Sequence, residues 1–253
     1  MSQTIGYKKS WYKEWFGEEY LTVYQHRDDK DARRLIELIH RNIQINPDSY
    51  LLDLACGNGR HSFLLSKFNR NVVGLDLSAH LLNEAQKRKI NHESPAFVRA
   101  DMRYFPFNIK FEVIFSLFTS FGYFDDDEKH FKVAAEISDS LKDDGWFVID
   151  YFNPDYVKAN LVSSGHRMIE NYEIFEERWI SNGRVHKLIH LHSSEGEKKF
   201  IESVKMFEHD ELVSLLGKAG IAAKKTFGNY SGESYSKSSK RMIIFAKKEI
   251  NES

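Results

Sequence analysis

Leu51-Leu-Asp-Leu-Ala-Cys-Gly-Asn-Gly-Arg-His61 is the stretch that decides the fold of this chain. An apolar run carries an acid, Asp53, and gives way to glycines at positions 57 and 59. An amphipathic segment follows. This order reads as a strand, a tight turn and a helix start, an arrangement that brings backbone close to a ligand. A second strand, Asn71-Val-Val-Gly-Leu-Asp76, also ends in an acid. Asp76 follows Gly57 at close to the roughly 20 residues expected of an acid that reads ribose hydroxyls in a βαβ unit.

Working outward, strand and helix patterns alternate. The strands read at Tyr50–Leu54, Val72–Asp76, Ala96–Arg99, Phe111–Leu117 and Trp146–Tyr151. Helices are predicted at about 59–68, about 78–89 with Ser78 as cap, and about 126–141. Five strands with intervening helices argue for a doubly wound parallel sheet. Strands Ile221–Phe227 and Arg241–Lys247 extend it to seven. Between them and the fifth strand, residues 166–180, 184–194 and 197–207 read as three extended segments, joined by Ser181-Asn-Gly183 and Ser193-Ser-Glu-Gly196 as hairpin turns. Ahead of everything, Trp11, Trp15, Tyr20 and Tyr24 sit at helical spacing, and an amphipathic helix is expected over 28–43, capped by Asp28 or Asp31. The expected organisation is a helical cap over 1–46, a core over 47–155 and 208–248, and an antiparallel insertion over 156–207 that serves as a lid or a dimer contact.

Bulk properties narrow the function. A net charge of −1 over 253 residues leaves no electrostatic footprint for nucleic acid or an anionic membrane. The single cysteine, Cys56, excludes an internal disulfide framework and suits a reducing compartment. No apolar run approaches the ~18 residues of a membrane-spanning helix, and the first residues lack the apolar core of a signal peptide. A cytoplasmic enzyme is the expectation.

The loop spacing is Asp53-x-Ala55-x-Gly57-x-Gly59, with Ser62 where a dinucleotide fingerprint would place its third glycine. An acid at the start of the motif repels a diphosphate and suits a cationic amino group or a sulfonium. This motif resembles the first motif of class I S-adenosylmethionine-dependent methyltransferases, with Ala55 in place of a glycine. The resemblance continues through Asp76, Asp101-Met102, the Phe111–Phe124 segment and the Leu141–Asp150 segment, in order over about residues 48–152. It implies an α/β Rossmann-like doubly wound seven-stranded sheet with a three-stranded antiparallel insertion after the fifth strand. It implies S-adenosylmethionine as cofactor and S-adenosylhomocysteine as product. The residues implied to bind cofactor are Asp53, Ala55, Cys56, Gly57, Gly59, Asp76, Leu77, Asp101, Met102 and Leu117, with Tyr24 and Arg27 from the N-terminal helices. Asp76 would take the ribose hydroxyls, Asp101 the adenine amino group, and Met102 would pack on the ring.

The Ser-Phe-Gly-Tyr loop at 120–123 and the strands after the fifth resemble small-molecule methyltransferases, including those acting on amino sugars. By that resemblance Ser120, Tyr123, Tyr151 and Tyr230 line the acceptor pocket. The acceptor atom is nitrogen or oxygen. Methyl transfer from a sulfonium needs alignment and exclusion of water, and leaves no obligatory catalytic residue to find. No metal is expected: His190 and His192 share a strand face, but spacing supplies no third ligand. The partners expected are a small acceptor and a second copy of the chain, with no nucleic acid and no membrane. Two rivals stand: a non-catalytic protein that binds S-adenosylmethionine or S-adenosylhomocysteine, and an NAD-dependent oxidoreductase.

Overall fold

A computed structural model describes residues 8–25, 29–89 and 95–249. Two short helices, α1 (Trp11–Trp15) and α2 (Glu18–Val23), lead to α3 (Asp29–Asn42). The alternating part runs β1 (Tyr50–Leu54), α4 (Arg60–Leu65), β2 (Asn71–Asp76), α5 (Ala79–Lys87), β3 (Ala96–Arg99), β4 (Phe111–Ser116), α6 (Asp127–Ser140) and β5 (Leu141–Phe152). Then come α7 (Pro154–Asn160), β6 (Ser164–Ile169), β7 (Tyr172–Ser181), β8 (Arg184–Ser193) and β9 (Gly196–Lys205). The chain closes with α8 (His209–Lys218), β10 (Ile221–Phe227) and β11 (Arg241–Lys248).

Seven strands form one mixed sheet in the order β10-β11-β5-β4-β1-β2-β3. β1 to β5 pair in parallel, and β11 lies antiparallel between β5 and β10. From β1 the chain steps outward to β2 and β3, then returns to place β4 on the other side of β1. The carboxyl ends of β1 and β4 therefore diverge into a crevice, the place where open α/β sheets bind ligands. Strands of this kind are covered on both faces and read as nearly continuous apolar runs. Leu52, Leu54, Ile114 and Ile149 pack on the face covered by α6 and α8. Leu51, Val113, Phe115 and Val148 pack on the other, under Leu35, Ile36 and Ile39 of α3.

The insertion is a separate antiparallel sheet of four strands, β6-β7-β8-β9, where three were expected. The chain folds back at Glu170-Asn171, inside the segment read as one extended run. Glu170 takes a left-handed φ of 52°, and without a glycine Asn171 is the one turn-forming residue that marks the position. α1 and α2 seat on this small sheet: Trp11, Trp15 and Val23 pack with Ile174, Ile189 and Leu191. α3, by contrast, packs into the core of the large sheet, so the helices before β1 serve two layers. No helix among the described residues is long and apolar enough to cross a membrane.

Candidate active site

Two cavities meet above the carboxyl ends of the parallel strands. The larger, about 790 Å³, lies between the loop after β1, the loop after β4, the N-terminal helices and the inner face of the small sheet. The smaller, about 430 Å³, lies against the ends of β2 and β3. Phe16, Ala55 and Tyr123 line both.

The floor of the crevice is the glycine loop. Ala55, Gly57 and Gly59 all take left-handed φ values, of 55°, 58° and 78°. For Ala55 this is strained backbone, held by its surroundings. Gly57 N donates to Asp76 Oδ2 at 2.8 Å, and Ser78 N donates to Asp76 Oδ1 at 2.8 Å. Asp76 thus ties the end of β2 to the loop and to the start of α5. Burial raises its carboxyl above the ordinary range, against the pull of the N–H groups of Ser78, Gly57 and Leu77. Each carboxylate oxygen has two acceptor positions, so hydroxyl donors in the smaller cavity still find room.

Asp76, Leu77, Asp101 and Met102 line the smaller cavity. Asp101 carries an ion pair that the sequence reading missed: Arg103 reaches back to it, Nε to Oδ1 at 3.0 Å and Nη2 to Oδ2 at 2.5 Å. Burial pushes the Asp101 carboxyl up, but these Arg103 hydrogen bonds outweigh it and hold the group below its ordinary value.

Tyr24, Ala55, Cys56, Gly57, Leu117, Ser120 and Tyr123 line the larger cavity. Gly59 lines neither. It backs onto Phe97, whose Cζ would lie 2.7 Å from a Cβ at that position. Asp53 also lines neither, contrary to the expectation that it faces a cationic ligand. It still lies within β1, paired with Gly74 and Phe115, and is 1% exposed. Its Oδ2 accepts from Ser62 Oγ at 2.6 Å, joining β1 to α4 behind the loop. Desolvation pushes its carboxyl up to about 7.

Two of the four residues expected in the acceptor pocket lie elsewhere. Tyr151 is fully buried in the core, with its hydroxyl on the carbonyl of Lys205. Its strand position faces the layer of α6 and α8, not the crevice. Tyr230 packs against the α3 layer and donates to Asp150 Oδ2 at 3.0 Å. The loop that carries it is pinned by Asn153, whose Nδ2 donates to the carbonyls of Ser236, Lys237 and Ser239. Arg27 lies outside the described residues.

The loop after β4 bends through Phe118 and Thr119, both left-handed at 59° and 64°. Asp150, on β5 and 0% exposed, holds this bend: Phe118 N donates to its Oδ2 at 3.0 Å and Thr119 N to its carbonyl at 2.8 Å. Arg241 Nε donates to Asp150 Oδ1 at 2.7 Å and its Nη2 to Thr119 Oγ1 at 3.1 Å. Ser120 and Tyr123 are positioned by this clamp, their hydroxyls donating to Leu117 O and Thr119 O.

The opposite wall is charged. Arg178, Lys187 and Glu202 stand abreast on β7, β8 and β9 and line the larger cavity. Glu202 Oε1 accepts from Trp15 Nε1 at 2.6 Å and from Tyr24 Oη at 2.7 Å, and Lys187 Nζ donates to Tyr24 Oη at 2.7 Å. Burial lowers the Lys187 ammonium pKa, with Glu202 and Glu176 opposing. On the same cavity, Trp11 Nε1 and His61 Nε2 are buried polar atoms without a hydrogen-bond partner. Burial takes the His61 imidazole down to about 3, so it is neutral near pH 7.

Residues 51–145 match a family described as a methyltransferase domain. The chain is similar to a dTDP-3-amino-3,4,6-trideoxy-alpha-D-glucopyranose N,N-dimethyltransferase of Streptomyces venezuelae, 31% identical over 127 residues, which cover 48% of this chain and 52% of the relative. It spans about half the length of the curated amino-sugar relatives that it matches. Among solved structures, a S-adenosylmethionine-dependent methyltransferase from Clostridium acetobutylicum superposes with a TM-score of 0.76 at 20% identity, covering 92% of this chain and 97% of that one. The sugar N-methyltransferase KedS8 from a Streptoalloteichus species superposes with a TM-score of 0.71 at 19% identity, covering 99% and 98%. Over residues 51–145 the chain thus matches a methyltransferase domain, and its fold is the one seen in solved S-adenosylmethionine-dependent methyltransferases, sugar N-methyltransferases among them.

Proposed function

We propose that this protein transfers a methyl group from S-adenosylmethionine to nitrogen or oxygen of a small-molecule acceptor, with an amine nitrogen as the favoured atom. The observation that carries the reading is the pair of cavities joined at Phe16, Ala55 and Tyr123. A two-substrate transfer needs two adjoining compartments and a shared boundary where the reacting atoms meet. The smaller compartment suits a nucleoside: Asp76 offers an anionic acceptor for paired hydroxyls, and Leu77 and Met102 offer apolar walls. When bound, S-adenosylmethionine supplies a sulfonium methyl open to in-line attack by a lone pair.

The chain's own residues then orient and exclude. Phe16 and Tyr123 wall the boundary with aromatic rings and keep water from it. The left-handed bend at Phe118 and Thr119, held by Asp150 and Arg241, sets Ser120 and Tyr123 on the acceptor side. Glu202 presents a carboxylate on that side, which suits an ammonium group arriving from solvent. The ammonium gives up a proton to become the neutral amine whose lone pair attacks, and S-adenosylhomocysteine leaves. Relatives that methylate amino sugars support nitrogen over oxygen. The near-neutral net charge supports a small acceptor over nucleic acid. One buried cysteine supports a cytoplasmic setting.

Calorimetry of the purified chain with S-adenosylmethionine, S-adenosylhomocysteine and NAD tests the reading. Micromolar binding of the first two, and methyl transfer from labelled S-adenosylmethionine to a panel of amino sugars, is the expected result. Heat from NAD alone would overturn the cofactor assignment. Binding of S-adenosylmethionine without transfer to any amine or hydroxyl of a broad panel would leave a binding protein instead of an enzyme.

A further inference from the structure

The small sheet carries a cluster that methyl transfer does not use. β8 alternates sides, so His190 and His192 project from one face. Glu197 on β9 stands directly opposite His192 in the register. His190 Nε2 lies 3.0 Å from Glu197 Oε2, and His192 Nδ1 lies 3.2 Å from Glu197 Oε1. One ligand atom from each of the three residues falls within 4.8 Å of the others. A tetrahedral ion with bonds of about 2.0–2.1 Å separates its ligands by roughly 3.3 Å. The two contacts run to different oxygens of Glu197, one to each imidazole, so binding an ion requires the three side chains to adjust from within 4.8 Å to that spacing.

We propose that His190, His192 and Glu197 form a binding site for a borderline divalent transition-metal ion, for which zinc is the natural probe. Two imidazoles and one carboxylate favour zinc, nickel or copper over magnesium or calcium, which need a shell of oxygens. The His192 ring is held in place before any ion arrives. Phe175 on β7 meets the His192 ring edge-on at 5.4 Å and stacks on His166 at 4.6 Å. Glu173, across from His192 on β7, accepts from His166 at 3.0 Å and adds negative charge beside the site. Lys199, across from His190 on β9, is exposed, and its flexible stem lets the ammonium turn to solvent. His190 and His192 are 22% and 32% exposed, so an ion has access and a fourth position is left for water.

The site is at the turn end of the β8–β9 hairpin. The cavity-lining residues of that hairpin, Val185, His186, Lys187, Glu202 and Val204, lie toward its other end. A bound ion would therefore pin the two strands together without touching the transfer chemistry, and the proposal does not depend on that chemistry.

The test is calorimetric titration of the full chain, stripped with EDTA, with zinc and, in parallel, magnesium. One zinc per chain at micromolar affinity, a higher Tm with zinc, and no magnesium binding are expected. A double variant, His190→Ala with His192→Ala, should lose the zinc isotherm and the rise in Tm. Glu197→Gln should weaken binding on the order of tenfold or more. Both variants should keep the parent's metal-free Tm, because the residues are partly exposed. An unchanged isotherm in the double variant would place the ion elsewhere among the 11 histidines and overturn the site. Absence of zinc binding, or one zinc per two chains, would overturn it as well.

Discussion

Arg241 Nε donates to Oδ1 of Asp150 at 2.7 Å, and Asp150 is fully buried. This pair joins β11 to β5 and also fixes the loop after β4, because the other carboxylate oxygen holds Phe118 N and Tyr230 Oη. Strained φ values at Phe118 and Thr119 persist only while such a clamp exists.

Asp150→Ala removes one partner of a buried ion pair and leaves a guanidinium uncompensated. A loss of about 3–5 kcal/mol in unfolding free energy is expected, by denaturant titration. Asp150→Asn keeps the shape and should cost less. A stability change under about 1 kcal/mol for Asp150→Ala would mean that the loop does not rest on this clamp.

Asp76 carries the cofactor expectation. Asp76→Asn keeps a side chain of the same size but loses the charge that strengthens acceptance from two hydroxyls. Each charged hydrogen bond is worth about 1.5–3 kcal/mol, so S-adenosylhomocysteine affinity should fall at least about tenfold in calorimetry. Equal affinity in parent and variant would remove Asp76 from the binding surface. Asp76→Ala should fall further and lose more stability than Asp76→Asn, since the N–H groups of Gly57 and Ser78 both lose their acceptor where the amide keeps one.

Asp53 makes the folded state sensitive to pH. Its folded pKa of about 7 lies above the ordinary 3.8, so the folded chain keeps a proton that the unfolded chain has released. The associated stability is complete below the unfolded value, and is lost as pH rises toward and through 7. Asp53→Asn cannot ionise and can still accept from Ser62. Its Tm should therefore gain on the parent's between pH 5 and pH 8. A constant difference over that range would show that Asp53 does not titrate there.

What the sequence made legible is what lies close along the chain. Asp53, Gly57, Gly59 and Asp76 fall within one βαβ unit, and their spacing alone places a turn and an acid together. Asp101 was legible by its position after β3, but its Arg103 partner was not, because nothing in the local pattern told which way that arginine turns. The acceptor side was least legible. Trp15 and Tyr24 meet Glu202 across 187 and 178 residues, and alternation along β9 shows which residues share a face but not what that face covers. Tyr151 failed as a pocket residue for the same reason, since a tyrosine at a strand end fits a core as well as a cavity. The extra strand of the insertion was hidden by a turn without glycine, which Glu170 and Asn171 form.

Gly59 offers a test of the loop that does not depend on any ligand. Its φ of 78° is open to glycine and strained for alanine. An added Cβ would also stand 2.7 Å from Phe97 Cζ and 3.1 Å from Phe63 Cε2. Gly59→Ala therefore combines backbone strain with a clash, and a loss of about 1–3 kcal/mol is expected from the strain alone. For a chain of this size that is a Tm several degrees lower, at about 2–4 °C per kcal/mol. Adding Phe97→Leu should relieve the clash with that ring while leaving the strain, so the double variant should recover only part of what the clash costs, after correction for the cavity that Phe97→Leu makes by itself. Full recovery would show that crowding, not the left-handed conformation, is what requires glycine here. A single variant as stable as the parent would show that the turn does not need glycine at all.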